Sequence, residues 1–121
     1  MRPLTIIVTT NDVERLRGAL MLASAQAAMG GGARLFLQLD AVALLRQPIE
    51  APRDAAHISA GLATLASLLD EALAIGVAVI ACQSGLALHG LTASDLPHGV
   101  DVGGPIGVLA DLTDEDRLLI A

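Results

Sequence analysis

VAVIACQSGLALHG, residues 77–90, decides how the rest of the chain is read. A short unbroken apolar run, VAVIA, fits a strand buried on both faces. It leads into Cys82, the only cysteine, and GLALHG behind it reads as one or two turns of helix. A strand that hands straight over to a helix is part of a βαβ unit, so Cys82 falls at the strand's exit and the helix's mouth. The first N–H groups of that helix, those of Gln83, Ser84 and Gly85, lack partners within it and carry partial positive charge. That environment favours thiolate over thiol, and Gly85 leaves room for something to approach the sulfur. A free cysteine is equally at home as inert filler at the end of a buried strand. Both readings stand on the residues alone.

Working outward, the same alternation recurs. LTIIVTT (4–10) is a β-branched strand, and Asn11 with Glu14 three residues on has capping-box spacing for a helix over 12–29. Val13, Leu16, Leu20, Ala23 and Ala27 form its apolar stripe; Met21 and Met29 read as core or interface filler. Gly30-Gly31-Gly32 ends the helix, and ARLFLQL (33–39) is a second strand. AVALL (41–45) and a polar loop with Pro48 and Pro52 follow. A second helix begins near Ser59 and runs through Leu62, Leu65, Leu69 and Leu73. Thr92 and Asp95 again have capping-box spacing, and 99–102 is a candidate strand. Pro105 opens a short helix at its first position, where a missing N–H costs nothing. TDED (113–116) is a solvated turn, and LLI (118–120) a last strand. Strands alternating with helices imply right-handed crossovers. The expected fold is α/β: one three-layer α/β/α domain over 1–121, around a mostly parallel sheet of about five strands.

Composition narrows the function. The chain is 54% apolar with a single aromatic, Phe36, so the core is aliphatic. Such an excess in 121 residues points to faces buried against other subunits, so a homo-oligomer is expected, with dimer, trimer and hexamer all open. All seven basic residues are Arg, which rules out a Walker lysine or a Schiff-base lysine. A net charge of −6 opposes direct binding of nucleic acid. One cysteine and three scattered histidines give neither a disulfide nor a metal spacing. Without G-x-G-x-x-G after a strand and without a stacking aromatic, no cofactor is expected. The uncharged run 72–94 contains Gln83, Ser84, His89 and three glycines, and reads as helix end, strand and turn rather than a membrane span. The opening residues lack a signal-peptide pattern, so a cytoplasmic location is expected.

In an open parallel sheet, ligands bind beyond the carboxyl ends of the strands. Four stretches fall there: 9–12 with Asn11, Leu39 with Asp40, 82–85, and Gly103-Gly104. Asn11 serves as a ligand contact or as a cap. Gly103-Gly104 makes an anion nest or a plain tight turn.

ACQSGLALHGLTASDL (81–96) followed by VGGPIGVLADLTDEDRLLI (102–120) resembles the DsrE/DsrF-like family of small sulfur-trafficking proteins. The family pattern is a strand ending in cysteine, a helix closed by glycine eight residues later, and a Gly-Gly step before the next helix. Here these are Cys82, Gly90 and Gly103-Gly104; residues 9–45 are similar to the family's opening strand, long helix and second strand. The resemblance implies a persulfide relay in which Cys82 accepts sulfane sulfur from a donor and passes it to a protein or small-thiol acceptor. Gln83, Ser84, Gly85, Gly103, Gly104 and Asn11 would line the site. Two positions depart from the pattern: Gly85 where several members have a second cysteine, and His89 where many have arginine. A non-catalytic binding or assembly subunit of the same fold is the alternative.

Overall fold

The computed structural model describes residues 1–121. Five strands form an all-parallel sheet in the order β4-β3-β2-β1-β5. They are β1 (Leu4–Val8), β2 (Ala33–Leu37), β3 (Ala78–Cys82), β4 (Asp101–Gly103) and β5 (Arg117–Ile120). The helices are α1 (Val13–Ala28), α2 (Asp54–Ser59), α3 (Leu65–Ala74), α4 (Gln83–Leu88) and α5 (Pro105–Asp111). Short 3-10 helices span Leu39–Leu45 and Ala93–Asp95.

Parallel pairing puts registered residues on one face. Ile6, Leu35 and Val79 form one such row and Val8, Leu37 and Ala81 the next, and none is more than 1% exposed. The crossovers from β1 to β2 and from β2 to β3 run the same way, so right-handedness stacks α1 and α3 together over this face. The return from β4 to β5 spans the whole sheet and brings α5 onto the opposite face, beside Ile80. That face is thinly covered. Phe36 is buried there, but Arg34 reaches across it, donating to the Thr5 hydroxyl at 3.1 Å and to Asp116 at 3.3 Å.

Several local expectations are corrected. The α1 cap is Asp12, not Asn11: the Asp12 carboxylate accepts from the N–H groups of Glu14 at 2.9 Å and Arg15 at 3.2 Å. Asn11 and Asp12 are both cap-forming types, and the helix simply starts one residue later. The expected second helix starts six residues later, at Leu65, and the loop expected before it holds a helix of its own, α2. α2 stops at Ser59, the chain turns through Gly61, and Thr64 caps α3 by accepting from the Ser67 N–H at 3.1 Å. The turn at 113–116 is not wholly solvated, because the Asp116 carboxylate is 5% exposed against Arg34. Met21 and Met29 lie outside the core and are exposed. The capping box at Thr92–Asp95 is present, and Pro105 does stand in the first turn of α5. All four residues of β5 are exposed, as are Ile106 and Leu109 on α5.

Candidate functional site

β3 ends at Cys82, which stands in register with Gly103 of β4 and is at once the N-cap residue of α4. Its extended backbone, at φ −68° and ψ 125°, lets the strand turn directly into helix. α4 is short because it closes in a Schellman motif. The Leu91 N–H donates to the Leu86 carbonyl at 2.9 Å, the Gly90 N–H to that of Ala87, and Gly90 takes the left-handed conformation at φ 63°. Leu86 and Leu91 are both buried and pin the motif to the core.

The second wall of the site comes from β2. Beyond its end, Leu39 starts the 3-10 helix Leu39–Leu45 in a left-handed conformation, φ 49°. For a residue with a bulky side chain this costs about 1–2 kcal/mol, so packing must hold it. Gly85 provides the packing. A Cβ there would collide with the Leu39 carbonyl oxygen and lie 2.9 Å from Cγ2 of Val42, so only glycine lets α4 lie this close to the 3-10 helix. Gly85 therefore makes room for the neighbouring backbone rather than for a ligand. Nothing in the local sequence signals the Leu39 turn, since leucine is not a left-handed residue type. Asp40 and His89 also meet: His89 Nε2 is 3.0 Å from Asp40 Oδ1, and Arg46 donates to the His89 carbonyl at 3.3 Å.

Cys82 is 2% exposed. Burial acts to raise its pKa, but the Leu39, Gly85 and Ser84 amides and the Ser84 hydroxyl face the sulfur and lower it below the ordinary thiol value. The Cys82 side chain makes no capping hydrogen bond to α4. Gln83 and Ser84 are exposed beside the buried sulfur. Gly104 faces the Gln83 side chain, its added Cβ falling 4.0 Å from Oε1. A hollow of about 190 Å³ lies between β4 and α5, lined by Ile80, Val102, Gly103, Gly104 and Asp111 among others but not by Cys82.

The structure thus brings Cys82, Gln83, Ser84, Gly85, Gly103 and Gly104 together at one end of β3 and β4. Asn11 is not among them. It is exposed and follows β1, which β2 separates from β3. His57 is also elsewhere, bonded to Glu14 at 3.1 Å. No group of three or more His, Cys, Asp or Glu side chains is placed to hold a metal ion. No helix is long and apolar enough to cross a membrane.

An all-parallel sheet with a single cysteine at a strand-to-helix junction, ringed by backbone amides, defines a small α/β protein with a candidate thiol site. Residues 3–120 match the DsrE/DsrF-like family model, and the chain belongs to that family, a membership that implies a protein of sulfur-relay type. Among solved structures it is similar to the ychN protein from E. coli, at 20% identity over 100% of both chains with a TM-score of 0.75. It is also similar to MTH1491, a protein of unknown function from Methanobacterium thermoautotrophicum, at 18% identity over 100% of both chains with a TM-score of 0.71. BT1422 from Bacteroides thetaiotaomicron, a conserved protein of unknown function, aligns at 20% identity over 99% of this chain and 95% of its own, TM-score 0.73. At such identities these likenesses establish the fold. No curated protein matches the chain significantly.

Proposed function

We propose that this protein carries sulfane sulfur as a persulfide on Cys82. The observation that supports this reading most is the convergence of the Leu39, Ser84 and Gly85 amides on the single sulfur of a DsrE/DsrF-like chain. In the forward step the Cys82 thiolate attacks the outer sulfur of a donor persulfide. The donor S–S bond breaks, its thiolate leaves and takes up a proton, and a new S–S bond forms on Cys82. An acceptor thiolate reverses the step, and no external oxidant or reductant is consumed. With no second cysteine the persulfide cannot resolve internally, so an external protein or small thiol must take the sulfur. Gln83 and Ser84 mark where a donor reaches Cys82, and Gly103-Gly104 form the opposite rim. The step takes place in the cytoplasm, the compartment that keeps a lone thiol reduced.

Incubation with a small persulfide under anaerobic conditions should add one sulfur atom per chain by intact mass, and none to Cys82→Ser. Absence of uptake by the native chain would overturn the reading. The burial of Cys82 favours a second one, a binding or assembly subunit with an inert cysteine. It predicts no uptake, and native alkylation with the midpoint of an ordinary thiol.

The partner we assign to the exposed β5 and α5 is another copy of this chain. Leu118, Ile120 and Ile106 stand 45%, 65% and 85% exposed, an aliphatic surface that a lone small domain has no reason to keep in water. Light scattering should return a multiple of the 12.3 kDa chain mass, reduced to one chain by Ile120→Glu. A monomeric native protein would remove this part of the proposal.

A further inference from the structure

Asp40 and His89 join the two walls of the site through a hydrogen bond of 3.0 Å. Asp40 follows Leu39 in the 3-10 helix, and His89 is the C-cap residue of α4. The Schellman closure fixes where His89 stands, and Arg46 holds its carbonyl. Nearer the start of α4, the missing side chain of Gly85 lets the Leu39 carbonyl come so close that an added Cβ would collide with it. The left-handed Leu39 turn is thus held at two points, one steric at Gly85 and one polar at Asp40–His89.

We propose that the Asp40–His89 hydrogen bond is a clasp that keeps the Leu39 amide facing Cys82, making both residues positioning groups for the thiol. The inference rests on Cys82 being the reactive group of the proposed relay, but its consequence is read on the thiol itself. The turn is strained, and the Gly85 contact repels as soon as α4 shifts towards it. The Asp40–His89 bond adds a directional tie to the buried packing of Val42 and Leu86 that keeps the helix and the turn at contact distance. With the clasp broken, Leu39 relaxes to negative φ and its N–H swings away, so a thiolate at Cys82 loses one of its three backbone donors.

Cys82 is the only cysteine, so alkylation of the native protein by iodoacetamide, followed by intact mass against pH, reports on it alone. Asp40→Ala and His89→Ala should each raise the alkylation midpoint by about half a unit and slow the reaction at pH 7 about threefold, the size expected of one partly exposed charged hydrogen bond. The double variant should be no slower than either single one, because both remove the same bond. His89→Gln, whose amide nitrogen takes the place of Nε2 and donates to Asp40, should restore the native midpoint. A structural role alone would lower the melting temperature without moving the midpoint, and that outcome overturns the clasp. So does an additive double variant, or a His89→Gln protein that behaves as His89→Ala. Sulfur uptake plays no part in this readout. A chain that takes up no persulfide yet shows the shift loses the relay and keeps the clasp, and the converse holds.

Discussion

Asp54→Ala is expected to cost about 3 kcal/mol of folding stability and to lower the melting midpoint by about 10 °C. Asp54 joins three segments of the chain through one carboxylate. One carboxylate oxygen accepts from Arg17 of α1 at 2.6 Å and from the Leu65 N–H at the start of α3 at 3.0 Å. The other accepts from the Ala51 N–H at 3.0 Å. Arg17 is only 2% exposed, so removing its partner strands a buried guanidinium with the Ala63 carbonyl and the half-exposed Glu14. It also leaves an unpaired amide at a helix start. The Ala51 N–H lowers the Asp54 pKa most; burial opposes this, and the Leu65 N–H and Arg17 add to the lowering. A depressed folded pKa means that the stabilisation is fully present above the ordinary carboxylate range and is lost as pH falls through the folded value. The gap between native and Asp54→Ala proteins in urea unfolding should therefore be constant near neutrality and close only below about pH 4. Arg53→Ala serves as the comparison. Arg53 is 63% exposed and 3.6 Å from Glu14, and its loss should leave the midpoint in place. Equal midpoints for the two variants would refute the account.

Asp54 also shows where sequence reasoning stops. Strand runs such as LTIIV and ARLFL declare themselves by composition, because a strand buried on both faces leaves no room for polar residues. Gly90, Pro105 and the Thr92–Asp95 box declare helix ends, because each satisfies or avoids a local backbone bond. In the segment 46–64 the one such local signal is Thr64, the cap of α3. Much of the rest depends on a carboxylate reaching eleven residues ahead and thirty-seven back, from Asp54 to Leu65 and Arg17. The same division runs through the site. The strand-to-helix junction at Cys82 and the rim at Gly103-Gly104 follow from local pattern. The burial of the sulfur and the amide of Leu39 do not, because both depend on how closely the 3-10 helix approaches α4.

That approach makes one substitution act in opposite directions at two glycines. In an exposed helix interior, alanine gains about 0.5–1 kcal/mol over glycine by restricting the unfolded chain. Gly18 of α1 has nothing within 4 Å of an added Cβ, so Gly18→Ala should stabilise the protein by about that amount. Gly85→Ala collects the same propensity gain and should still destabilise, by about 1–2 kcal/mol net, because overpacking of this kind costs about 1–3 kcal/mol. The obstructing atoms leave little freedom to yield: the Leu39 carbonyl is backbone, and Val42 is wholly buried. Relief requires the 3-10 helix to move away from α4, taking the Leu39 N–H from the sulfur. Stability and thiol chemistry should therefore change together at Gly85 and separately at Gly18. In Gly85→Ala the alkylation midpoint of Cys82 rises along with the loss in urea unfolding, whereas in Gly18→Ala stability rises and the midpoint stays. A Gly85→Ala protein more stable than the native one, with an unshifted thiol, would mean that helix and turn are not pressed together and that the amides owe their aim at the sulfur to something else.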